Sequence, residues 1–487
     1  MSNVLITHSY FYQLDQKQWQ AKQPYPPLGT LQAAAVIRSN NFDTSFFDVG
    51  LKENAQCIEP TLKEIIPTYF VIYDDGFNYL TKMCLTVMRE AAFTMARLAK
   101  QNGSIVIICS SDSTDHYEKY FQQGVDYVVR GEGEETIAEL LKCLEKKESL
   151  EMVAGLAYQK NNETIVTKSR AVMRDLDSLP MPAWDLIDIE PYRQLWLKHH
   201  GYFSLNIATT RGCPYKCNWC AKPIYGNRYN SRAPERVVDE IEFLLKKYQP
   251  NHFWMCDDIF GLKPGWVQKF ESLVTARNLK FKYKIQSRVD LLLEEDTVSA
   301  LAKSGAETIW VGAESGSQKI LDAMDKGTEV GQIYEATKLM RQHGLKVGFF
   351  LQFGYLGETQ QDIDATQKML LAIMPDEVGI SVSYPLPGTK FYEKVKDQLR
   401  EKQNWRDSDD LATMFDSTFN SSYYKKLHYY VHSQYRIKKG FDGMKKIIRS
   451  PLSYNHKDAR AALAALYHLP FYLLLRKSLR KEPSAAQ

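Results

Sequence analysis

Short apolar runs alternate with helix-period segments over residues 1–145. "NVLITHS", "TSFFDVG", "TYFVIYDD", "SIVIICSS" and "DYVVRG" read as strands, because each is brief, rich in β-branched or aromatic residues and closed by turn formers. Between them "LGTLQAAAVIRSNN", "LTVMREAAFTMARLAKQN", "HYEKYFQQG" and "EETIAELLKCLEKK" space their apolar residues three and four apart, as helices packed by one face do. This alternation predicts an α/β unit, a doubly wound parallel sheet of about five strands, with ligands bound where the strands' carboxyl ends meet the loops. Those loops are "THSYFYQ", "DVGLKEN", "SSDSTDH" and "RGEGEE".

The pattern breaks over residues 146–200, where "AGLAYQKNNETIVTKSRAVM" predicts a hairpin turning at Asn161 and Asn162 and "LDSLPMPAWDLIDIEPY" has the proline-rich, acidic character of a linker. It resumes over residues 201–397. "SLNIATT", "HFWMCDD", "KYKIQSR", "TIWVGAES", "KVGFFLQFG" and "EVGISVSYPL" are strand candidates, with helices such as "PERVVDEIEFLLKKY" and "GSQKILDAMDKG" between them. Six such units predict a (β/α)6 partial TIM barrel whose working face lies at the strands' carboxyl ends. Residues 398–487 read as a helical C-terminal region.

At 487 residues the chain is too long for one core, which agrees with the several domains of the pattern. A formal net charge of +4, from 62 Lys and Arg against 58 Asp and Glu, gives no footprint for nucleic acid. The positive charge is local, in "KKLHYYVHSQYRIKKGFDGMKKIIRS" and "LLLRKSLRK", and reads either as a solvated helical face or as weak contact with a membrane surface or an anionic substrate. Eight cysteines are too few for a disulfide scaffold, and "MSNVLITHSYFYQ" lacks the form of a secretory leader, so a cytoplasmic protein is expected. "AALAALYHLPFYLLL" (461–475) is too short, and too interrupted by His468 and Pro470, for a membrane span.

Candidate chemistry concentrates in "RGCPYKCNWC", directly after the first barrel strand, with Cys213, Cys217 and Cys220 inside eight residues. A structural zinc cage wants four closed ligands. The next cysteine, Cys256, ends a predicted buried strand, where a thiol usually serves as a small hydrophobe. Three thiols alone are better explained by a 4Fe–4S cluster with one iron left open, with zinc or an electron-transfer cluster as the alternatives.

The Cys-x-x-x-Cys-x-x-Cys spacing resembles that of the radical SAM superfamily. The resemblance implies that the open iron chelates S-adenosylmethionine, whose reductive cleavage gives a 5′-deoxyadenosyl radical that attacks an unreactive C–H bond. It also implies roles at later strand ends. Asp257 and Asp258 would accept the methionyl ammonium, Ser287 and Arg288 would meet the carboxylate, Glu314 and Ser315 would lie near the ribose or methionyl group, and Leu351 or Phe353 would flank the adenine. "PLPGT" (385–389) recurs in relatives after the sixth strand.

Upstream, "PYPPLGTLQAAAVIRSNNFDTSFFDVG" and "GVDYVVRGEGEETIAELL" resemble the Rossmann-like cobalamin-binding domain that precedes the barrel in one radical SAM subgroup, nearest in pattern to the branch of the anaerobic magnesium-protoporphyrin monomethyl ester cyclase. Leu28, Gly29, Ser110, Ser111, Gly131 and Glu132 are the cobalamin contacts this implies. The Asp-x-His-x-x-Gly motif of many cobalamin proteins is absent, and neither His8 nor His116 has its flanking residues, so no histidine on cobalt is expected. Methyl transfer to a substrate carbon is the expected reaction, with oxidative cyclisation or rearrangement as the runner-up and a non-catalytic iron–sulfur or cobalamin sensor as the alternative from another class. The expected partners are a small-molecule substrate and a reductant such as flavodoxin or ferredoxin.

Overall fold

The computed structural model describes residues 2–77, 85–220, 225–399, 411, 413–449 and 456–479. The five strands expected at the N-terminus form: β1 (Asn3–Thr7), β2 (Asp43–Phe46), β3 (Tyr69–Tyr73), β4 (Ile105–Cys109) and β5 (Tyr127–Val129). They run parallel in the order β2-β1-β3-β4-β5. Their continuous apolar runs follow from burial on both faces. Val4, Ile6, Val71 and Ile107 pack under the helices Leu28–Ser39 and Glu134–Lys146, while Leu5, Phe70, Ile72 and Val106 pack under Thr86–Gln101.

The hairpin expected at Asn161 and Asn162 forms, with both residues at positive φ as a tight two-residue turn requires. Its strands β6 (Leu156–Lys160) and β7 (Glu163–Val166) do not stand apart in a linker; they add antiparallel to β5 and bring the first sheet to seven strands. Pairing Val128 with Ala157 covers an edge that β5 would otherwise expose.

Residues 176–200 mortar the two sheets together. Trp184 is buried and its indole donates to Glu240 (3.2 Å), the Trp196 indole donates to the Pro24 carbonyl (2.8 Å), and the Tyr192 hydroxyl donates to Asp48 (2.7 Å). Each bond joins groups far apart in sequence, so this proline-rich segment is held as firmly as the elements it connects.

The barrel strands are β8 (Ser204–Ile207), the short β9 (Thr210–Arg211) and β10 (Asn230–Ser231), then β11 (His252–Met255), β12 (Lys282–Ser287), β13 (Ala306–Glu314), β14 (Lys346–Phe353) and β15 (Glu377–Val382). Six of them form one parallel sheet, β15-β14-β13-β12-β11-β8, the partial barrel the pattern predicts. Alternate residues separate its faces. Leu205, Phe253, Ile285, Ile309 and Phe349 meet the outer helices. The opposite face carries Ser204, Trp254, Lys284, Trp310 and Phe350. There Trp310 stacks on Phe350 (centroids 4.6 Å apart), and the Lys284 ammonium lies 5.3 Å from the rings of both Tyr25 and Trp254. Tyr25 belongs to the first domain, so the lumen wall is shared. Gly348 makes room for it, since a Cβ there would lie 2.4 Å from the Trp310 ring.

The C-terminal region is two helices, Ser421–Arg449 and His456–Leu479. The first buries Tyr423, Tyr424, Leu427, Val431 and Tyr435 against the barrel, and the Tyr435 hydroxyl donates to the Pro375 carbonyl (2.6 Å). Beneath it lies Glu358, buried after β14, with one carboxylate oxygen on the Gly354 amide (2.6 Å). Burial pushes its carboxyl from the ordinary 4.5 up to about 8. Because the folded state holds this proton more tightly, the resulting stability is full below the ordinary value and is lost as pH rises through about 8. The stability of the native chain minus that of Glu358→Gln is therefore expected to fall between about pH 5 and about pH 8 in urea denaturation. A difference constant across that window counts against the buried acid.

Candidate active site

The loop carrying the three cysteines leaves the barrel at β8 and is fixed at its root by Asp257. This carboxylate, buried after β11, accepts from the Thr209 and Thr210 amides (2.7 Å each) and the Thr209 hydroxyl (2.6 Å). Burial outweighs these donors and raises its carboxyl to about 6. Asp257 has a positioning role, since both of its oxygens hold the end of β8. Asp258 beside it is exposed.

Beyond that root, β9 and β10 pair antiparallel and close the neck of the cysteine loop. Gly212 permits the turn into it: its φ is +77°, and a Cβ would lie 2.1 Å from the Arg228 carbonyl. The apex is pinned by Asn218, between the second and third cysteines. Its amide donates to the Met324 carbonyl (3.0 Å), its side chain donates to the Ala323 carbonyl (2.7 Å) and accepts from the Tyr355 hydroxyl (2.5 Å), and its carbonyl accepts from the Phe391 amide (2.9 Å). Bonds to three other segments hold this one residue, so the neighbouring thiols are carried on a fixed frame.

Cys213 is buried, and Cys217 and Cys220 are half-buried; none is in a disulfide. Cys256 is buried away from them, its thiol on the Ile207 carbonyl (3.3 Å). Among the described residues no three His, Cys, Asp or Glu side chains converge where one ion would sit. A cubane has spread corners and asks for thiols set apart along a loop.

Cationic groups surround Cys217. The Arg288 guanidinium, after β12, lies 3.6 Å over the Tyr215 ring of the loop and bonds Asp290 (3.0 Å) and the Lys326 carbonyl (3.0 Å). Glu314 ends β13 at φ +55° and accepts from the buried Lys326 ammonium (2.8 Å). Burial lowers the Lys326 pKa, but Glu314 and then a Cys217 thiolate outweigh it and raise it. Sequence reading missed Lys326, because nothing in "AMDKG" distinguishes a buried lysine from an exposed one.

The other expected contacts divide by face. Ser287 is buried at the end of β12. The Ser315 hydroxyl bonds Thr366 (3.0 Å) and anchors a turn to the helix Gln360–Ile373. Leu351 and Phe353 lie in the outer core with Val347 and Phe349, so the β14 side chains on the lumen face are Phe350 and Gln352. A base lying in the lumen would meet those two, or the strand's backbone.

The first domain's ligand edge reaches this loop through Arg211, two residues before Cys213. Its guanidinium is buried between Glu132 and Glu134, bonding Glu132 and donating to Glu134 at 2.7 Å, with Phe77 and Tyr225 rings at 5.6 and 5.2 Å. Burial raises the Glu132 carboxyl and Arg211 opposes it. Along the same edge Leu28 is buried, and Gly29 packs on Asp75, where a Cβ would lie 2.9 Å from the carboxylate. Ser110 caps the helix Ser111–Asp115. The Ser111 hydroxyl and Arg130 Nε are buried without partners among the described residues, and Gly131, at φ +79°, has open space where a Cβ would stand. His8 is buried with its Nε2 on Asp48 (3.0 Å), and His116 sits 4.0 Å from Asp112.

The sequence profile of the Radical SAM superfamily matches residues 207–370, from the end of β8 through the cysteine loop to the helix after β14. The chain is a radical SAM protein. It is 28% identical over 397 residues to an uncharacterized methyltransferase of Pyrococcus horikoshii, which covers 78% of this chain and 81% of that protein. It is 30% identical over 286 residues to the anaerobic magnesium-protoporphyrin IX monomethyl ester cyclase of Cereibacter sphaeroides, covering 56% of this chain and 45% of that enzyme, so the match spans under half the cyclase. Its fold follows that of the cobalamin-dependent S-adenosylmethionine radical enzyme OxsB, solved with aqua-cobalamin and S-adenosylmethionine bound, over 98% of this chain and 72% of that one, with a TM-score of 0.73 and 18% identity.

Radical SAM proteins carry a 4Fe–4S cluster and S-adenosylmethionine, and the donor set fits both. Three thiols stand on one anchored loop, with guanidinium and ammonium groups beside them and a carboxylate at the next strand end. In this radical SAM protein Asn218→Ala removes two side-chain bonds, to the Ala323 carbonyl and from the Tyr355 hydroxyl, which keep only their 3.1 Å bond to each other. The expected loss is about 1–3 kcal/mol in denaturant unfolding, with fewer irons bound per chain after reconstitution. Arg211→Ala leaves two carboxylates buried and unpaired, and about 3–5 kcal/mol is expected by the same measurement. A change in either variant too small to resolve contradicts the anchoring described.

Proposed function

We propose that this radical SAM protein is a cobalamin-dependent enzyme that transfers a methyl group to an unactivated carbon of a small-molecule substrate. The observation that carries the reading is Arg211. It ties the carboxylates following β5, at the first domain's loop edge, to the residue two positions before the first cluster cysteine. A cofactor lying on that edge is thereby kept next to the loop. Support comes from the buried, unpartnered Ser111 hydroxyl and Arg130 Nε and the open space at Gly131 on the same edge, and from the relative named a methyltransferase. The cobalamin of the OxsB structure and the shared fold point the same way.

When bound, the reduced cluster supplies the electron that cleaves S-adenosylmethionine, and cobalamin supplies a carrier for its methyl group. The chain's own residues do the rest. Cys213, Cys217 and Cys220 would hold the iron, with the Arg288 and Lys326 cations near Cys217. Asp258, Ser287, Arg288, Glu314 and Ser315 edge the space for the methionyl and ribose groups, and Gln352 and Phe350 face the base. The aromatic wall of Trp254, Trp310 and Phe350, with Lys284 among the rings, suits a flat, largely apolar substrate bearing an anionic group. Burial lowers the Lys284 pKa to about 8, so its charge is available below that pH and fades above it. A flavodoxin or ferredoxin supplies the electrons.

The relative named a cyclase keeps oxidative cyclisation as the second reading. Both are tested by anaerobic reconstitution with iron and cobalamin, counting both metals per chain, followed by turnover with methyl-labelled S-adenosylmethionine on candidate substrates. The expected result is one cobalamin per chain and a product heavier by one CH2 unit that carries the label. A product without the label refutes methyl transfer in favour of cyclisation or rearrangement. Cluster binding with no S-adenosylmethionine turnover above a Cys217→Ala control refutes an enzyme of either kind in favour of a sensor.

A further inference from the structure

The helix His456–Leu479 presents two opposed faces. Ala461, Ala465, His468 and Tyr472 form the packed one. Ala465 is buried against Gly440, where a Cβ would lie 2.4 Å from the Ala465 Cβ, His468 bonds Arg436 (2.9 Å), and Tyr472 stacks on Tyr430 (5.1 Å). On the other side Leu463, Leu466, Tyr467, Phe471 and Leu474 recur at helical spacing and are 68, 63, 66, 48 and 69% exposed. Such a stripe is the reverse of a solvated face, which places polar residues outward. On the partner helix Phe441 and Ile448, two turns apart, are 49 and 77% exposed.

The charge around this stripe is one-sided. Residues 421–479 hold twelve Lys and Arg against two Asp, in a chain whose net charge is only +4, so the remainder is net acidic and the hairpin is the basic pole. No described helix is long and apolar enough to cross a membrane, and Pro470 and the Arg476–Lys477 pair interrupt this one. We propose that this hairpin docks the protein on an anionic lipid surface, its Leu and Phe side chains entering the interface and its Lys and Arg meeting the headgroups. A second copy of the chain is the poorer occupant, because joining two such faces sets two strongly cationic helix pairs against each other. The inference is independent of the reaction proposed above.

The test is flotation of the full-length reconstituted protein with vesicles of phosphatidylcholine alone and with phosphatidylglycerol added, at low and high salt, alongside sedimentation velocity without lipid. The expected result is about tenfold more protein floating with the anionic vesicles at low salt. Adding salt is expected to remove most of that excess, as is the combined variant L463S/L466S/L474S, whose changes lie on the exposed stripe. The variant's unchanged unfolding transition shows that the fold is kept. Equal flotation with both vesicle types, or flotation unaffected by the triple change, overturns the proposal. So does a dimer without lipid that the triple change dissolves.

Discussion

One guanidinium joins the two halves of this protein. Arg211 comes from the strand that opens the cysteine loop, and its partners Glu132 and Glu134 come from the end of the first sheet, 79 and 77 positions earlier. All three are buried, and the two carboxylates share a single cation, so loss of the arginine would leave two carboxylates facing each other in the interior. A hydrophobic contact would tolerate sliding. A planar fork meeting two carboxylates fixes both distance and orientation, and it sets the first domain's loop edge against the radical loop.

Around that junction the fold separates anchoring from chemistry. Asp257 holds the root of the loop, the β9–β10 pair closes its neck and Asn218 holds its apex. The three cysteines lie between these points, Cys213 buried and Cys217 and Cys220 half-buried. Both Asp257 oxygens clamp the end of β8, and Arg288 and Lys326 place cationic groups near Cys217. Burial of Lys326 with Glu314 costs solvation that their mutual bond offsets.

Periodicity was a good guide to this fold and a poor guide to its junctions. Each of the six barrel strands lies where an apolar run ends in polar turn residues, because burial and turn chemistry act locally. The three cysteines were legible for the same reason, being adjacent in sequence. The faces of β14 were not legible, because adjacent phenylalanines at 349 and 350 blur its alternation, and only the neighbours show Leu351 and Phe353 in the outer core and Phe350 and Gln352 on the lumen face. The hairpin was legible as a hairpin, but its attachment to β5 was not, since strand edges leave no mark in sequence. Arg211, Lys326 and Asn218 act across long separations, and single polar residues carry no period. The exposed stripe of the last helix reads in sequence as ordinary packing, and becomes unusual only when it stands exposed among the described residues.

The central claim is that the cysteine loop holds a cluster whose fourth iron is kept for S-adenosylmethionine. Electron paramagnetic resonance of the reconstituted, dithionite-reduced protein during titration with S-adenosylmethionine tests it most directly. The account predicts a reduced 4Fe–4S signal whose g values shift as S-adenosylmethionine binds, and which is absent from Cys213→Ala. A cluster signal indifferent to S-adenosylmethionine at saturating concentration, or one that survives loss of Cys213, would contradict it.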